Sequence, residues 1–151
     1  GSEGLIVNYA VCCKPIPVDS VIGHFTAERG LVVHQERCKN ILSVREDPKQ
    51  CFPVNWGEPS GRSFNAQIKV VGRDEPGLLA NLASVITSQE TNIASIQTTE
   101  INTGMHEFVL DLEVSDRLHL SKILRKIRTL NNIVSVSRIH DWEMRQAAAL
   151  H

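Results

Sequence analysis

Between Phe64 and Ser88 the apolar residues change their spacing, and this change limits the folds open to the chain more than any other feature. Phe64, Ala66, Ile68 and Val70 alternate with Asn65, Gln67 and Lys69, the pattern of a strand with one buried face. Leu78, Leu82, Val85 and Ile86 then recur at helical spacing and form one stripe, so a helix is expected from Leu78 to Ser88. Arg73, Asp74, Glu75, Pro76 and Gly77 join the two runs, so a strand must turn almost directly into a helix. Pro76 suits a first helical turn, where its missing N–H costs nothing, and Asp74 or Glu75 is expected to cap that turn. The unpaired N–H groups and positive dipole end of such a helix start suit a small carboxylate. A plain tight turn would use Pro76 and Gly77 equally well.

The pattern continues in kind. Asn92 to Ile101 is rich in Ile and Thr and reads as a strand, Asn102, Thr103 and Gly104 make a turn, and Phe108, Leu110, Leu112 and Val114 alternate in a returning strand. Ser115 or Asp116 is placed to cap a second helix, with Leu120, Ile123, Leu124, Ile127 and Leu130 as its buried stripe. A last strand runs from Ile133 to Ile139. The expected order is strand, helix, strand, strand, helix, strand, a ferredoxin-like βαββαβ arrangement with both helices on one face of an antiparallel sheet. A free sheet edge, or the uncovered face, favours pairing with a second copy.

The first half is built differently. Cys12, Cys13, Lys14, Pro15, Ile16 and Pro17 exclude a helix interior. Val21 to Thr26 and Leu31 to His34 flank Ala27, Glu28, Arg29 and Gly30 as a hairpin, with Gly30 at the permissive position. A short helix is expected from Gln35 to about Ser43, with Cys38, Ile41 and Leu42 on one face, followed by a strand from Cys51 to Trp56. Gly57 to Ser63 supplies turn formers and no apolar residue, which places a domain boundary there. The expected fold is α+β: a small cysteine-containing α/β domain over 1–57, a linker over 58–63, a βαββαβ domain over 64–142 and a tail over 143–151. Gly1 and Ser2 look like a tag remnant, so the natural polypeptide is expected to extend upstream.

Composition restricts partners. Sixteen Lys and Arg against 17 Asp and Glu give no global field for nucleic acid or anionic membrane, so any RNA contact requires a local patch. No apolar run approaches the ~20 residues of a membrane span, which points to a cytoplasmic protein with no membrane partner. Four cysteines, two of them adjacent, are few for a disulfide scaffold and fit a reducing compartment.

Two resemblances arise from these residues. The element order, with Asp74, Glu75, Pro76, Gly77, Leu78 and Leu79 after the first strand and Asn92, Ile93 opening the second, resembles an ACT domain, a regulatory module that commonly binds amino acids. Upstream, Cys12, Cys13, Lys14, Pro15, Ile16, Pro17, Asp19, Gly23, Gly30, His34 and Cys38 resemble the ribosome-intersubunit (RIS) or zinc-finger domain of the long RelA/SpoT stringent-response enzymes, which directly precedes an ACT domain in that family. Val18 and Glu28 depart from it at positions where glycine is common. The resemblance implies a non-catalytic C-terminal regulatory fragment of a (p)ppGpp synthetase/hydrolase, with the catalytic domains upstream in the same chain. It also implies that the fragment senses amino-acid starvation through ribosome and tRNA contact and forms a homodimer through ACT pairing. Whether the parent makes the alarmone, degrades it or does both lies outside these residues. An amino-acid-binding ACT module of a metabolic enzyme, with the first half as a metal- or redox-sensing appendage, is the alternative.

Three site hypotheses follow, each beside a plainer one. Cys12, Cys13, His34 and Cys38 offer three thiolates and an imidazole, a possible tetrahedral zinc shell, or else a buried cysteine cluster beside a hairpin. His34 and Cys38, four apart, would point the same way at a helix start, whereas adjacent cysteines diverge in an extended chain unless a turn intervenes. Cys13 as nucleophile with His34 as base lacks an evident orienting group. For an amino acid, preferably branched-chain, the amides of Gly77, Leu78 and Leu79 would hold the carboxylate. Asp74 and Asn92 would take the ammonium group, with Leu78 and Ile93 as the apolar wall. Otherwise Leu78 is core and Asn92 merely enters a strand. For RNA, Lys14, Arg29, Arg37 and Lys39 could gather near the hairpin, and Lys122, Arg125, Lys126 and Arg128 line the second helix. Such charges also decorate solvated faces.

Overall fold

A computed structural model describes residues 7–140 and divides into two compact units, the second of them Gly61–Ile139. The first unit contains β1 (Val7–Tyr9), β2 (Val21–Thr26), β3 (Gly30–Gln35) and β4 (Cys51–Pro53). They form a sheet in the order β1-β3-β2-β4, antiparallel except where β1 runs parallel to β3. The hairpin of β2 and β3 closes as expected, with Gly30 at φ 72°, a conformation costly for any residue with a Cβ. Ala10, Cys13, Val32, Cys38 and Ile41 make one buried cluster of this unit, flanked by Ile22 and Val44, and Ile16, Val21, Leu31, Val33 and Cys51 are buried as well.

The expected helix from Gln35 to Ser43 is absent. Gln35 ends β3, and the chain then proceeds by successive tight turns, in which the N–H of Cys38, Ile41, Val44 and Asp47 each bonds the carbonyl three residues back. Every third residue therefore points inward: Cys38 and Ile41 are fully buried while Leu42, expected inside, is 49% exposed. Cys38, Ile41 and Leu42 begin a helical stripe, but Arg45 and Glu46 do not continue it and Pro48 follows within one turn. The strand at Cys51 stops at Pro53 and does not reach Trp56. Trp56 instead stacks on Tyr9, centroids 5.5 Å apart, and donates its indole N–H to the Asp19 carbonyl at 3.0 Å.

The second unit runs β5 (Phe64–Arg73), α1 (Leu78–Thr87), β6 (Asn92–Asn102), β7 (Met105–Val114), α2 (Arg117–Arg128) and β8 (Ile133–Arg138). Its antiparallel sheet has the order β6-β7-β5-β8, the ferredoxin-like arrangement the alternation predicts. Ala66, Ile68 and Val70 of β5, with Phe108, Leu110, Leu112 and Val114 of β7, face Leu82 and Ile86 of α1 and Ile123 and Ile127 of α2 in one buried layer. Asp116 caps α2 by accepting the His119 N–H at 2.7 Å.

The entry to α1 differs from expectation. Pro76 precedes the helix, Gly77 at φ 84° is the N-cap residue, and no side chain caps the first turn. The acidic pair is drawn elsewhere. The Asp74 carboxylate lies 3.9 Å from the His106 imidazole, and Glu75 accepts from the Asn132 amide at 2.9 Å. The Asp74 N–H also bonds the Gly104 carbonyl at 2.8 Å, so the corner is sewn to the neighbouring hairpin. Strand β6 is an edge strand, exposed at ten of its positions and half-buried at Ile93. The expected tail beyond residue 142 lies outside the described residues.

Candidate metal centre and ligand corner

The turn needed to bring both adjacent cysteines to one point lies at Val11–Cys13. The Lys14 N–H bonds the Ala10 carbonyl at 3.1 Å, and Lys14 adopts φ 46°, so the chain reverses immediately after Cys13. Strand β3 delivers His34, and the first tight turn beyond it delivers Cys38. The donor atoms of Cys12, Cys13, His34 and Cys38 all lie within 4.8 Å of one another. Cys12 Sγ is 3.5 Å from Cys38 Sγ and 3.6 Å from His34 Nδ1, and Cys13 Sγ is 3.8 Å from the same nitrogen. Zinc bonds of about 2.3 Å to sulfur and about 2.0 Å to nitrogen, set tetrahedrally, require edges of about 3.5 to 3.8 Å. The donor set and its spacing therefore fit zinc.

The surroundings stabilise negative sulfur. The Gln35 backbone N–H donates to Cys13 Sγ at 3.3 Å, that of Asn40 donates to Cys38, and the Asn40 side chain bonds Cys12. Gln35 also ties its carboxamide N–H to the Cys13 carbonyl. Without a cation the three thiols cannot share the charge equally. Hydrogen bonds from Cys13, then Cys38 and His34, hold the Cys12 thiol far below its ordinary range. Donation to Cys12 pushes Cys13 up, and the same donation, with burial added, pushes Cys38 up to about 12. Negative charge is thus drawn to Cys12, with Cys13 and Cys38 favoured as thiols that donate to it. Cys51 is buried in β4 outside the cluster, and burial raises its thiol. Cys13 is buried with its sulfur already hydrogen-bonded, which suits a ligand better than a nucleophile.

Gln35 and Asn40 were not apparent as supports from sequence, because their backbone amides, available at every residue, reach the sulfurs only through the local turns. Of the cationic candidates, Lys14, Arg37 and Lys39 are chain neighbours of cluster ligands, and Arg37 and Lys39 are exposed. Arg29 occupies the β2–β3 turn at the opposite end of β3 from His34, so the four do not form one patch around the cysteines.

The amino-acid candidates also separate. Leu78 is buried and its N–H already bonds the Glu75 carbonyl at 3.2 Å, leaving the Gly77 and Leu79 amides for a carboxylate. Asn92 pairs in register with Glu113, as does Asn65, and its amide donates to the Glu113 carboxylate at 3.1 Å. Asp74 follows Arg73, eight steps further along β5, so Asn92 and Ile93 lie about 27 Å from the corner at ~3.4 Å per residue. One copy of the chain does not bring these residues together. Beside the corner, Leu78, Asn81, Thr129, Leu130, Asn131 and Asn132 line a depression of about 180 Å³, too small for most ligand sites.

The RelA/SpoT RIS domain matches residues 1–57 and the ACT domain matches residues 60–138. The chain is 36% identical over 138 residues to the bifunctional (p)ppGpp synthase/hydrolase SpoT of Escherichia coli, covering 91% of this chain and 20% of that protein. It is 30% identical over 141 residues to a GTP pyrophosphokinase of Streptomyces coelicolor, covering 92% of this chain and 16% of that one. The chain thus spans about a fifth of the length of these relatives. The ACT domain from GTP pyrophosphokinase of Chlorobium tepidum is 27% identical, covers 51% of this chain and 99% of its own, and gives a TM-score of 0.46. With a RIS domain followed directly by an ACT domain, the chain belongs to the RelA/SpoT family and corresponds to its C-terminal regulatory region.

Proposed function

We propose that this region regulates a (p)ppGpp synthetase/hydrolase whose catalytic domains precede it in the same polypeptide. In this reading a zinc-stapled RIS module presents Lys14, Arg37 and Lys39 to ribosomal RNA or tRNA, with Arg29 at a separate contact, while the ACT module reports amino-acid supply. The region itself performs no catalysis. The observation that carries the reading is the four-donor cluster, three of whose edges measure 3.5 to 3.8 Å, near those of a tetrahedral ion, with all donors within 4.8 Å of one another and a backbone N–H donating to Cys13 Sγ. When bound, zinc would cross-link the turn at Cys12 and Cys13, strand β3 and the turn at Cys38, fixing a unit whose own core is small.

The ACT module requires a second copy to complete a ligand site. Strand β6 is an exposed edge of 11 residues with Glu100 as its single charged residue and no proline, poor protection against edge pairing. If two β6 strands pair antiparallel about a two-fold axis at Gln97, Asn92 of one copy stands opposite Asn102 of the other. Asn102 shares its register row with Met105 and Arg73, so Asn92 and Ile93 then approach the Asp74 to Leu79 corner of the partner. A branched-chain amino acid would bind there, carboxylate on the Gly77 and Leu79 amides.

Metal content and ribosome association test the reading. Reduced protein purified without chelator should hold about one zinc per chain, and less than a tenth of an equivalent ends the metal proposal. Charge reversal of Arg29 and Arg37 should abolish salt-sensitive co-sedimentation with ribosomes, and unchanged binding rejects that surface.

A further inference from the structure

The three thiols of the cluster are not equivalent in access or in reach. Cys12 is exposed on the outer side of its turn, and Val11 beside it is 82% exposed, so a small oxidant can approach the Cys12 sulfur from solvent. Cys38 is fully buried, yet its sulfur lies 3.5 Å from that of Cys12. When an exposed thiol contacts a second one, its oxidation is resolved as a disulfide before it runs on to the higher sulfur acids.

The other pairings are poorer. Cys12 and Cys13 are adjacent, with Cα atoms about 3.8 Å apart, below the span of about 4.4 to 6.8 Å that a disulfide ordinarily bridges. Cys13 is buried, its sulfur accepts the Gln35 N–H at 3.3 Å, and the Gln35 carboxamide holds its carbonyl. Cys51 is buried in β4 opposite His24 of β2 and lies outside the cluster. Cys12 and Cys38 both sit in turns instead, each with room to adjust, and their sulfurs need to close by about 1.5 Å to reach bonding distance.

We infer that Cys12 and Cys38 are an oxidation site, forming a reversible disulfide under hydroperoxide, and that this oxidation releases the zinc the cluster fits. The Cys12 sulfur attacks one oxygen of the hydroperoxide and the O–O bond breaks. Its electron pair leaves with the other oxygen, which takes the thiol proton, or one from solvent when the sulfur is metal-bound, and departs as water or an alcohol. Cys12 is then a sulfenic acid. The Cys38 sulfur attacks the Cys12 sulfur, the S–S bond forms as the S–O bond breaks, and the departing hydroxide takes up a proton in the same way. Two electrons have passed from the two sulfurs to the peroxide, and a dithiol reductant returns them. Cys13 and His34 then remain as donors, two where a structural zinc uses four. The ion ties three elements and the bond only two, so strand β3 loses its link to the turn at Cys12. Release of the ion rests on the zinc reading of the cluster, whereas the disulfide rests on the sulfur positions alone.

Peptide mapping of the whole chain tests it. The reduced, zinc-loaded chain is treated with hydrogen peroxide beside a chromophoric zinc indicator, its free thiols are alkylated, and it is digested without reductant and sequenced by tandem mass spectrometry. About one zinc should be released per Cys12–Cys38 disulfide, with Cys13 and Cys51 recovered alkylated, and dithiothreitol with added zinc should reverse both changes. The metal-free chain, oxidised below its lower thermal transition, should form the same link. A protein that never held zinc therefore still tests the disulfide, and that failure would fall on the zinc reading alone. Cys13→Ser should keep the link, and Cys12→Ser should leave Cys38 alkylated. Linkage between any other two cysteines, Cys12 recovered as a sulfinic acid beside an alkylated Cys38, or recovery of all four thiols unoxidised would overturn the inference. Formation of the disulfide with zinc retained would overturn the release.

Discussion

The sulfur of Cys12 lies 3.5 Å from that of Cys38, a residue 26 positions along the chain, and 3.6 Å from the ring nitrogen that strand β3 presents through His34. Removing the ion that this arrangement fits should therefore open the first unit while the second, with its own continuous core, persists. Two thermal transitions are expected on adding chelator, the lower one returning to the upper when zinc is restored. A single transition, unmoved by chelator, would refute this.

The proton inventory of the cluster sets a pH dependence. Cys12 is held low, so its stabilising contribution is full above the ordinary thiol value near 9.0 and is lost as pH falls toward its depressed one. Cys13 and Cys38 are raised, so theirs is full below 9.0 and is lost as pH rises, for Cys38 up to about 12. Metal-free protein should be most stable near pH 9 and weaken on both sides. Zinc entry near neutral pH must release about two protons, so affinity should rise about a hundredfold per pH unit there. Calorimetry in buffers of different ionisation enthalpy counts those protons.

Gly77 and Gly23 should respond to alanine for different reasons. At Gly77 a Cβ would meet nothing nearer than Asn81 Nδ2 at 3.9 Å, so Gly77→Ala costs the left-handed strain alone, about 1 kcal/mol. At Gly23 a Cβ would lie 2.8 Å from Leu31 Cδ1 and 2.9 Å from Val54, and overpacking of that kind costs about 1 to 3 kcal/mol. Urea unfolding of the two variants separates them, because Gly23→Ala should move the first unit's transition and Gly77→Ala the second's.

His119 binds two elements at once. Its Nδ1 accepts the Ser115 N–H at 3.0 Å, which leaves Nε2 to carry the proton and donate to the Gln89 carbonyl at 2.7 Å, beside the Thr91 hydroxyl. His119→Ala would strand both backbone groups and should destabilise the second unit by about 1 to 3 kcal/mol. Asp116→Ala should cost about 1 kcal/mol through the lost cap. Nitrogen chemical shifts of the ring report the tautomer directly.

Placing a charge on the open edge should dissociate the pair. Ile96→Lys puts two like charges near the two-fold axis of a β6 pair, and a rise of at least about tenfold in the dimer dissociation constant is expected by sedimentation equilibrium. Valine or isoleucine binding should be lost with it, since Asn92 and Asp74 belong to opposite ends of one sheet. Retained binding by a monomer would show that the site is complete in one chain.

Strict alternation at Phe64 to Val70 and Phe108 to Val114, with helical stripes at Leu78 to Ile86 and Leu120 to Ile127, dictated the second unit before any coordinates, because one side chain in two or in about 3.6 leaves little freedom over which face is buried. The donor types at Cys12, Cys13, His34 and Cys38 were equally plain. Their convergence was not, since it depends on a left-handed residue at Lys14 and on period-three turns in place of a helix. The separation of Asn92 from Asp74 likewise emerged only from strand register. Local periodicity governs which elements form; distance between residues remote in the chain is governed by how those elements pair, and no short window of residues contains that information.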